Sequence, residues 1–275
     1  MIEMSRSRGW RRRRVGADGD MSTTVVHSAP DLLFAGAPGP VPEGALPAMG
    51  DVAPVPVLEV YDARRGRLRI DRGERVCLLG GSGAGKTQWL RSMVGIGEPF
   101  DAIRLWGNPA SRELVAAMVG WVPDGDGVML SGTVLENVSM SVAGRGVHRS
   151  RAVDVLDQIG LAGRATDRVS LLNRAERRRV SYARTLARRA RLVLIDGELD
   201  AVLWAHVPML MEYQPWIEAV LVTQARITAF TRRSSSVALL HEGAVVAQGP
   251  LEGLAGSSDP DVHGILMGLG LEDDE

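Results

Sequence analysis

At 275 residues the chain is long enough for one large domain with a sizeable core, and its net charge of −1, with 45% hydrophobic and 24% charged residues, is that of an ordinary globular protein. This balance excludes a generally nucleic-acid-seeking surface, and a single cysteine, Cys77, excludes an intrachain disulfide and fits a reducing cytoplasm. The most apolar window, 201–222, is broken by His206, Pro208, Glu212, Pro215 and Glu218, so it does not qualify as a membrane span, and the basic N-terminus lacks the apolar segment of a signal peptide.

Residues 1–54 read as an unstructured tail rich in arginine and proline, with seven of the 14 prolines falling there or just after it. Its arginines, Arg6, Arg8 and Arg11 to Arg14, suit contact with anionic lipid or nucleic acid. Equally, Met21 opens a plausible start, which would make the preceding residues an upstream extension. Beyond the tail, 55–60 and 67–70 read as strands, and 76–79 as a buried strand that holds Cys77 as a small hydrophobe and runs into a glycine loop.

A helix follows over 88–94, with Trp89, Leu90 and Met93 at helical spacing. Residues 115–122 read as a helix end running into a strand, 133–139 and 149–159 as helices, and 176–189 as a third helix. A buried strand over 192–195 ends at Asp196; after a short helix come a strand over 219–223 and a hairpin, 237–240 and 244–247, turning at Glu242-Gly243. Strand-loop-helix units of this kind predict an α/β domain over 55–255, with a mainly parallel sheet and ligand at the carboxyl ends of its strands. Residues 256–275 read as a C-terminal tail.

Of the 32 Lys plus Arg residues only one is lysine, and that Lys86 stands in Gly80-Gly81-Ser82-Gly83-Ala84-Gly85-Lys86-Thr87. The spacing is that of a phosphate-binding loop: glycines let backbone N–H groups curl around phosphates, the ammonium reaches between phosphate oxygens, and the threonine hydroxyl takes Mg²⁺. An apolar strand before the loop and a helix after it supply the context such a loop needs. Asp196, 110 positions after Lys86, ends a buried strand, where a carboxylate beside the loop can hold Mg²⁺ through water.

Taken in order, these motifs resemble the nucleotide-binding domain of the ATP-binding cassette (ABC) transporter family over about residues 57–255. Trp121-Val122-Pro123-Asp124 resembles the segment ending in the family's Q-loop glutamine, and the stretch from Ser131 to Val138 is similar to the one after that loop, particularly in exporters. The run from Arg177 to Leu186 looks like the helix following the family signature, Gln224 falls at the switch histidine, and the run from Glu242 to Gly249 resembles the closing hairpin. Tyr61, 25 positions before Lys86, sits where the family stacks an aromatic ring on adenine. The resemblance implies a P-loop NTPase fold, α/β, with a mainly parallel sheet, a small antiparallel β part and a helical subdomain at about 125–185. It also implies ATP and Mg²⁺ as cofactors.

The departures from the family pattern concern hydrolysis. The signature Leu-Ser-Gly-Gly-Gln is Leu172-Asn173-Arg174-Ala175-Glu176 here, so side chains stand where glycines bring a helix end close to the γ-phosphate of an opposing subunit. Asn173 remains a good helix cap, and Arg174 reads as a solvated arginine or a replacement phosphate contact. The glutamate expected after Asp196 is Gly197, with Glu198 one place further; Gln224 cannot carry the positive charge of a histidine; Asp124 replaces glutamine and can still ligate a cation. Lys86, Glu198 and Gln224 are therefore the candidate catalytic groups. Thr87 and Asp196 are the candidate metal ligands, and residues 80–87 with Tyr61 and Asp124 form the nucleotide site. Loss of a general base or a transition-state sensor typically costs about 10²–10⁴ in rate, so the expectation is binding with weak hydrolysis.

Three readings compete. The first is a subunit that binds ATP, pairs with another nucleotide-binding domain as a homo- or heterodimer, and serves membrane-spanning transporter subunits from the cytoplasmic face, with no nucleic-acid partner. The second is a soluble ATP-responsive scaffold; an apolar, open groove near 124–137 would favour transport over it. The third is a phosphotransferase with Arg177 to Arg179 as a lid. A GTPase is excluded, because its guanine-reading element needs another lysine. Trp204 and Trp216, flanking Met209 and Met211, are expected at a partner surface.

Overall fold

The computed structural model describes residues 54–125, 127–140 and 148–271; all but the last residue of the expected N-terminal tail, with its arginine run and Met21, lies outside them. The strands are β1 (Leu58–Asp62), β2 (Gly66–Ile70), β3 (Arg75–Leu79), β4 (Ala102–Leu105), β5 (Asn108–Pro109), β6 (Val119–Val122), β7 (Leu192–Ile195), β8 (Ala219–Gln224), β9 (Ser236–His241) and β10 (Ala244–Gly249). Helices α1 (Lys86–Met93), α2 (Arg112–Met118), α3 (Val134–Met140), α4 (His148–Gln158) and α5 (Arg174–Ala187) precede β7. Helices α6 (Ala201–His206), α7 (Leu210–Tyr213), α8 (Ala229–Arg233), α9 (Leu251–Ala255) and α10 (Pro260–Gly268) follow it.

The strands join one curled sheet in the order β5-β4-β1-β2-β10-β9-β3-β8-β7-β6. From β9 to β6 the pairing is parallel, and β3, β7 and β8 read as near-continuous apolar runs because both sheet faces are covered. Alternation along β3 shows the two layers. Val76 and Leu78 pack with Trp89, Phe100 and Leu105, whereas Cys77 and Leu79 pack with Val180, Tyr182 and Leu239 on the other face. Burial pushes the Cys77 thiol up to about 12, so it is the inert small hydrophobe expected of it. Strands β5, β4, β1 and β2 form an antiparallel meander, and β10 joins the two parts, antiparallel to β9 and parallel to β2 at Val245 and Gly66.

The mid-chain helices form their own layer: Val134, Val138, Val155, Leu156 and Ile159 bury against Val180 and Leu186 of α5, in one core with the sheet face. The fold is thus the expected α/β P-loop NTPase architecture. Two details differ from the sequence reading. Strands β4 and β5 were not expected; Ala102–Leu105 is short, interrupted by Arg104, and held mainly by pairing to β1. The stretch 256–275, expected as a tail, contains α10, whose Val262 and Leu266 are buried with Leu269 in the core.

Trp204 and Trp216 are half-buried against that core, Trp204 with its ring 6.2 Å from Phe230 and Trp216 under the Arg189 guanidinium. Met209 and Tyr213 are the largely exposed apolar side chains of this region. No helix among the described residues is long and apolar enough to cross a membrane.

Candidate functional site

The glycine loop spans the turn from β3 into α1. The Gly80 N–H donates to the Gln224 carbonyl at 3.1 Å, extending the β3–β8 pairing to the loop, and the Gly243 N–H donates to the Ala84 carbonyl at 3.0 Å from the β9–β10 turn. Trp89 Nε1 donates to the Gly243 carbonyl at 2.8 Å, which ties the same turn to α1. A Cβ on Gly80 would lie 2.4 Å from the Leu240 carbonyl oxygen, so only glycine lets the chain pass there. Gly85, at φ 97°, turns the loop into the helix, whose first N–H groups are left to a ligand.

Lys86 Nζ reaches back across the loop, donating to the Gly80 carbonyl at 2.5 Å and the Gly81 carbonyl at 2.7 Å. Partial burial holds this ammonium below its ordinary range, and the nearby Asp196 carboxylate partly restores it. Asp196 is 2% exposed. Its Oδ1 accepts the Thr223 hydroxyl at 3.1 Å, while its Oδ2 is buried without a partner. An orphaned buried carboxylate oxygen costs on the order of 1–3 kcal/mol, a penalty that a hydrated cation would remove. Thr87 and Asp196 therefore fit Mg²⁺, which would neutralise phosphate charge.

Asp124, just past β6, belongs to the same cluster. Its Oδ1 accepts Nη2 of Arg174 and Nη1 of Arg178, each at 3.2 Å. Arg178 is buried; it also donates to the Asp196 main-chain carbonyl, and its Nε has no partner. Desolvation lowers its pKa, opposed by Asp124 and Asp196. Gly197 has φ 77°, and its N–H donates to the Thr223 hydroxyl at 2.6 Å.

The phosphate loop, Lys86, Thr87, Asp196, Asp124 and Gln224 are thus gathered at the carboxyl ends of β3, β6, β7 and β8. Two expected residues stand apart. Glu198 is exposed beyond Gly197. Tyr61 is 49% exposed on β1 and lines a separate depression of about 310 Å³ with Arg67, Arg104 and Gln248, none of them in the loop.

At the signature position, α5 begins with Asn173 and Glu176 in a reciprocal capping box, as the cap reading of Asn173 anticipated. The arginines of 177–179 are engaged internally, Arg177 Nε with the Leu172 carbonyl, Arg178 as above, and Arg179 Nε with Asp200 at 2.8 Å, which leaves no lid. Arg178 and Thr223 were missed as site residues. Thr223 carried a faint signal, a hydroxyl ending an apolar strand; Arg178 carried none, since nothing in an arginine triplet marks which member turns inward.

A cavity of about 690 Å³ opens between the end of α1, α2 and the middle of α5. Its walls are mostly apolar, with Phe100, Val115 and Trp121, and it includes Pro123, Gly127 and Arg188. Burial holds the Arg188 guanidinium below its ordinary range.

The family model described as "ABC transporter" matches residues 64–198. The chain is 29% identical over 197 residues to "Lipoprotein-releasing system ATP-binding protein LolD" of Legionella pneumophila (strain Lens), covering 66% of this chain and 87% of that protein. It is 33% identical over 149 residues to "Cytochrome c biogenesis ATP-binding export protein CcmA" of Nitrosomonas europaea, covering 51% of this chain and 68% of that protein. In fold it is similar to a solved ATP binding subunit of an ABC transporter, with a TM-score of 0.64 and 22% identity over 77% of this chain and 99% of the other.

Proposed function

Because the chain belongs to the ABC transporter family, we propose that it is an ATP-binding subunit that grips Mg·ATP firmly, hydrolyses it slowly, and serves membrane-spanning partners from the cytoplasmic face of the membrane. The observation that carries this reading is the pairing of a complete phosphate cradle with an incomplete hydrolytic set. Lys86, the glycine loop and the orphaned Asp196 Oδ2 are in place, whereas Gly197 offers no carboxylate and Gln224 no cationic hydrogen bond. Nucleotide occupancy then acts chiefly as a clamp that shifts the pairing of two such domains.

The partner half of the reading is supported by the mostly apolar cavity beside Pro123, which meets the stretch 124–137 at Gly127 and otherwise lies between α1, α2 and α5. A closed, polar surface there would have favoured a scaffold without a membrane partner. The test is calorimetric titration with Mg·ATP followed by a single-turnover assay with γ-labelled ATP. Expected are saturable binding that Lys86→Ala abolishes, and turnover about 10²–10⁴ below that of an ABC ATPase with its base and sensor intact. Turnover in the ordinary range, also abolished by Lys86→Ala, would overturn the slow-hydrolysis reading. Retrieval of a polytopic membrane protein with the native chain tests the partner.

A further inference from the structure

The position after Asp196 holds no side chain, yet the space beside it is filled. A Cβ on Gly197 would lie 2.6 Å from Oδ1, 2.7 Å from Cγ and 3.0 Å from Cβ of Asp124. The carboxyl group of residue 124 thus stands where the side chain of residue 197 would begin. We propose that Asp124 is the carboxylate that orients the attacking water in this site, supplying from β6 what Gly197 lacks; the proposal rests on the reading that the loop binds Mg·ATP.

Three features fit Asp124 for that task. Its Oδ1 accepts both Arg174 and Arg178, which anchors one oxygen of the carboxylate and leaves the other turned away from them. Its Oδ2 accepts no hydrogen bond among the described residues, so one oxygen stays available to a water. Arg178 also donates to the Asp196 main-chain carbonyl, so one buried guanidinium holds the orienting group in register with the strand end that carries the metal ligand. The two guanidiniums further offset the repulsion that a lone carboxylate would meet near a triphosphate. Glu198, the other candidate, is exposed and has no such anchoring.

In the step so assisted, Oδ2 accepts a hydrogen bond from the water and aims its lone pair at the γ-phosphorus. The new P–O bond forms as the bond to the β,γ-bridging oxygen breaks; that electron pair leaves on ADP, and the water's protons end on inorganic phosphate and solvent. Lys86 stays on the phosphates throughout.

The test measures kcat and KM for ATP in the presence of Mg²⁺, with calorimetric affinity, for the full chain and for Asp124→Asn, Glu198→Gln, Asp124→Gly and Gly197→Glu/Asp124→Gly, the glycine at 124 removing the atoms that a side chain at 197 would overlap. Expected is a fall in kcat of about 10² in Asp124→Asn, with KM and affinity within about threefold of the parent. The double variant, which moves the carboxylate to position 197, is expected to recover at least about tenfold over Asp124→Gly alone, a rescue that a merely structural role would not give. The proposal is overturned by an unchanged kcat in Asp124→Asn, by a larger fall in Glu198→Gln, or by a parent chain that binds Mg·ATP without hydrolysing it. A parent chain that binds no Mg·ATP removes the underlying reading instead, and the calorimetry separates the two failures.

Discussion

Asn173 and Glu176 close the start of α5 on itself: Asn173 Oδ1 accepts the Glu176 N–H at 2.9 Å, and Glu176 Oε2 accepts the Asn173 N–H at 2.9 Å. The second Glu176 oxygen is held by Arg164 Nη1 at 2.6 Å. A carboxylate at a helix N-terminus stabilises that helix and repels a phosphate brought up to it. A phosphate arriving on a second copy would therefore meet a Glu176 N–H already taken by the cap, a negative charge and the Arg174 side chain. Asn173→Ala is expected to lower stability by about 1 kcal/mol in urea unfolding.

Rewriting 173–176 as Ser-Gly-Gly-Gln should keep the helix capped while removing the Glu176 charge and the Arg174 side chain, and so strengthen self-association. The expected result is Mg·ATP-dependent dimerisation, followed by light scattering, at lower protein concentration than the parent requires. Equal dimerisation of parent and variant would show that the occupied helix end is no obstacle.

The lone lysine should not be replaceable by arginine. Nζ sits within 2.7 Å of two loop carbonyls, a space suited to a compact ammonium and not to a flat guanidinium fork. Lys86→Arg and Lys86→Ala are both expected to weaken Mg·ATP binding by calorimetry by more than about tenfold, at least 1.4 kcal/mol.

Gly197→Ala combines a left-handed backbone with an overlap on Asp124 and is expected to cost about 1–3 kcal/mol in chemical denaturation. Adding Asp124→Gly should return the portion due to overlap, a non-additive pair that a double-mutant cycle measures.

Acid stability depends on the turn after β1. Hydrogen bonds from the Arg65 side chain, helped by the N–H groups of Arg64 and Arg65, hold the Asp62 carboxyl at about 2, below its ordinary 3.8. A depressed carboxylate contributes stability that is fully present above pH 3.8 and is lost as the pH falls toward about 2. The stability difference between the parent and Asp62→Asn, measured by denaturation, should therefore be constant near neutrality and close over that interval. Arg65 also donates to the Pro99 carbonyl and lies 4.1 Å from the centre of the Phe100 ring, so the variant should loosen the meander from the segment after α1.

Where the fold was legible, periodicity and loop chemistry pointed the same way. The apolar run of β3 followed by the glycine loop, the buried run ending at Asp196 and the turn at Glu242-Gly243 all lie where the sequence places them. The strands β4 and β5 at one end of the sheet escaped because their pairing partners, not their own pattern, make them strands. At the site, the phosphate cradle could be read from spacing alone. The contact between Asp124 and Gly197 could not: it joins residues 73 positions apart and consists of one residue's missing side chain and another's presence. Which arginine of 177–179 turns inward depends on the register of α5, fixed only once Asn173 and Glu176 set its start.

The carboxyl end of the described chain lies against the nucleotide cradle. The Ile227 N–H donates to the Leu269 carbonyl at 2.8 Å, and a Cβ on Gly81 would be in ordinary contact, 3.9 Å, with Leu269 Cδ2. Anything fused downstream of Leu271 is therefore anchored within a few residues of the loop. A dye attached there would be well sited to report when the cradle fills, and a bulky tag there should be avoided when measuring affinity.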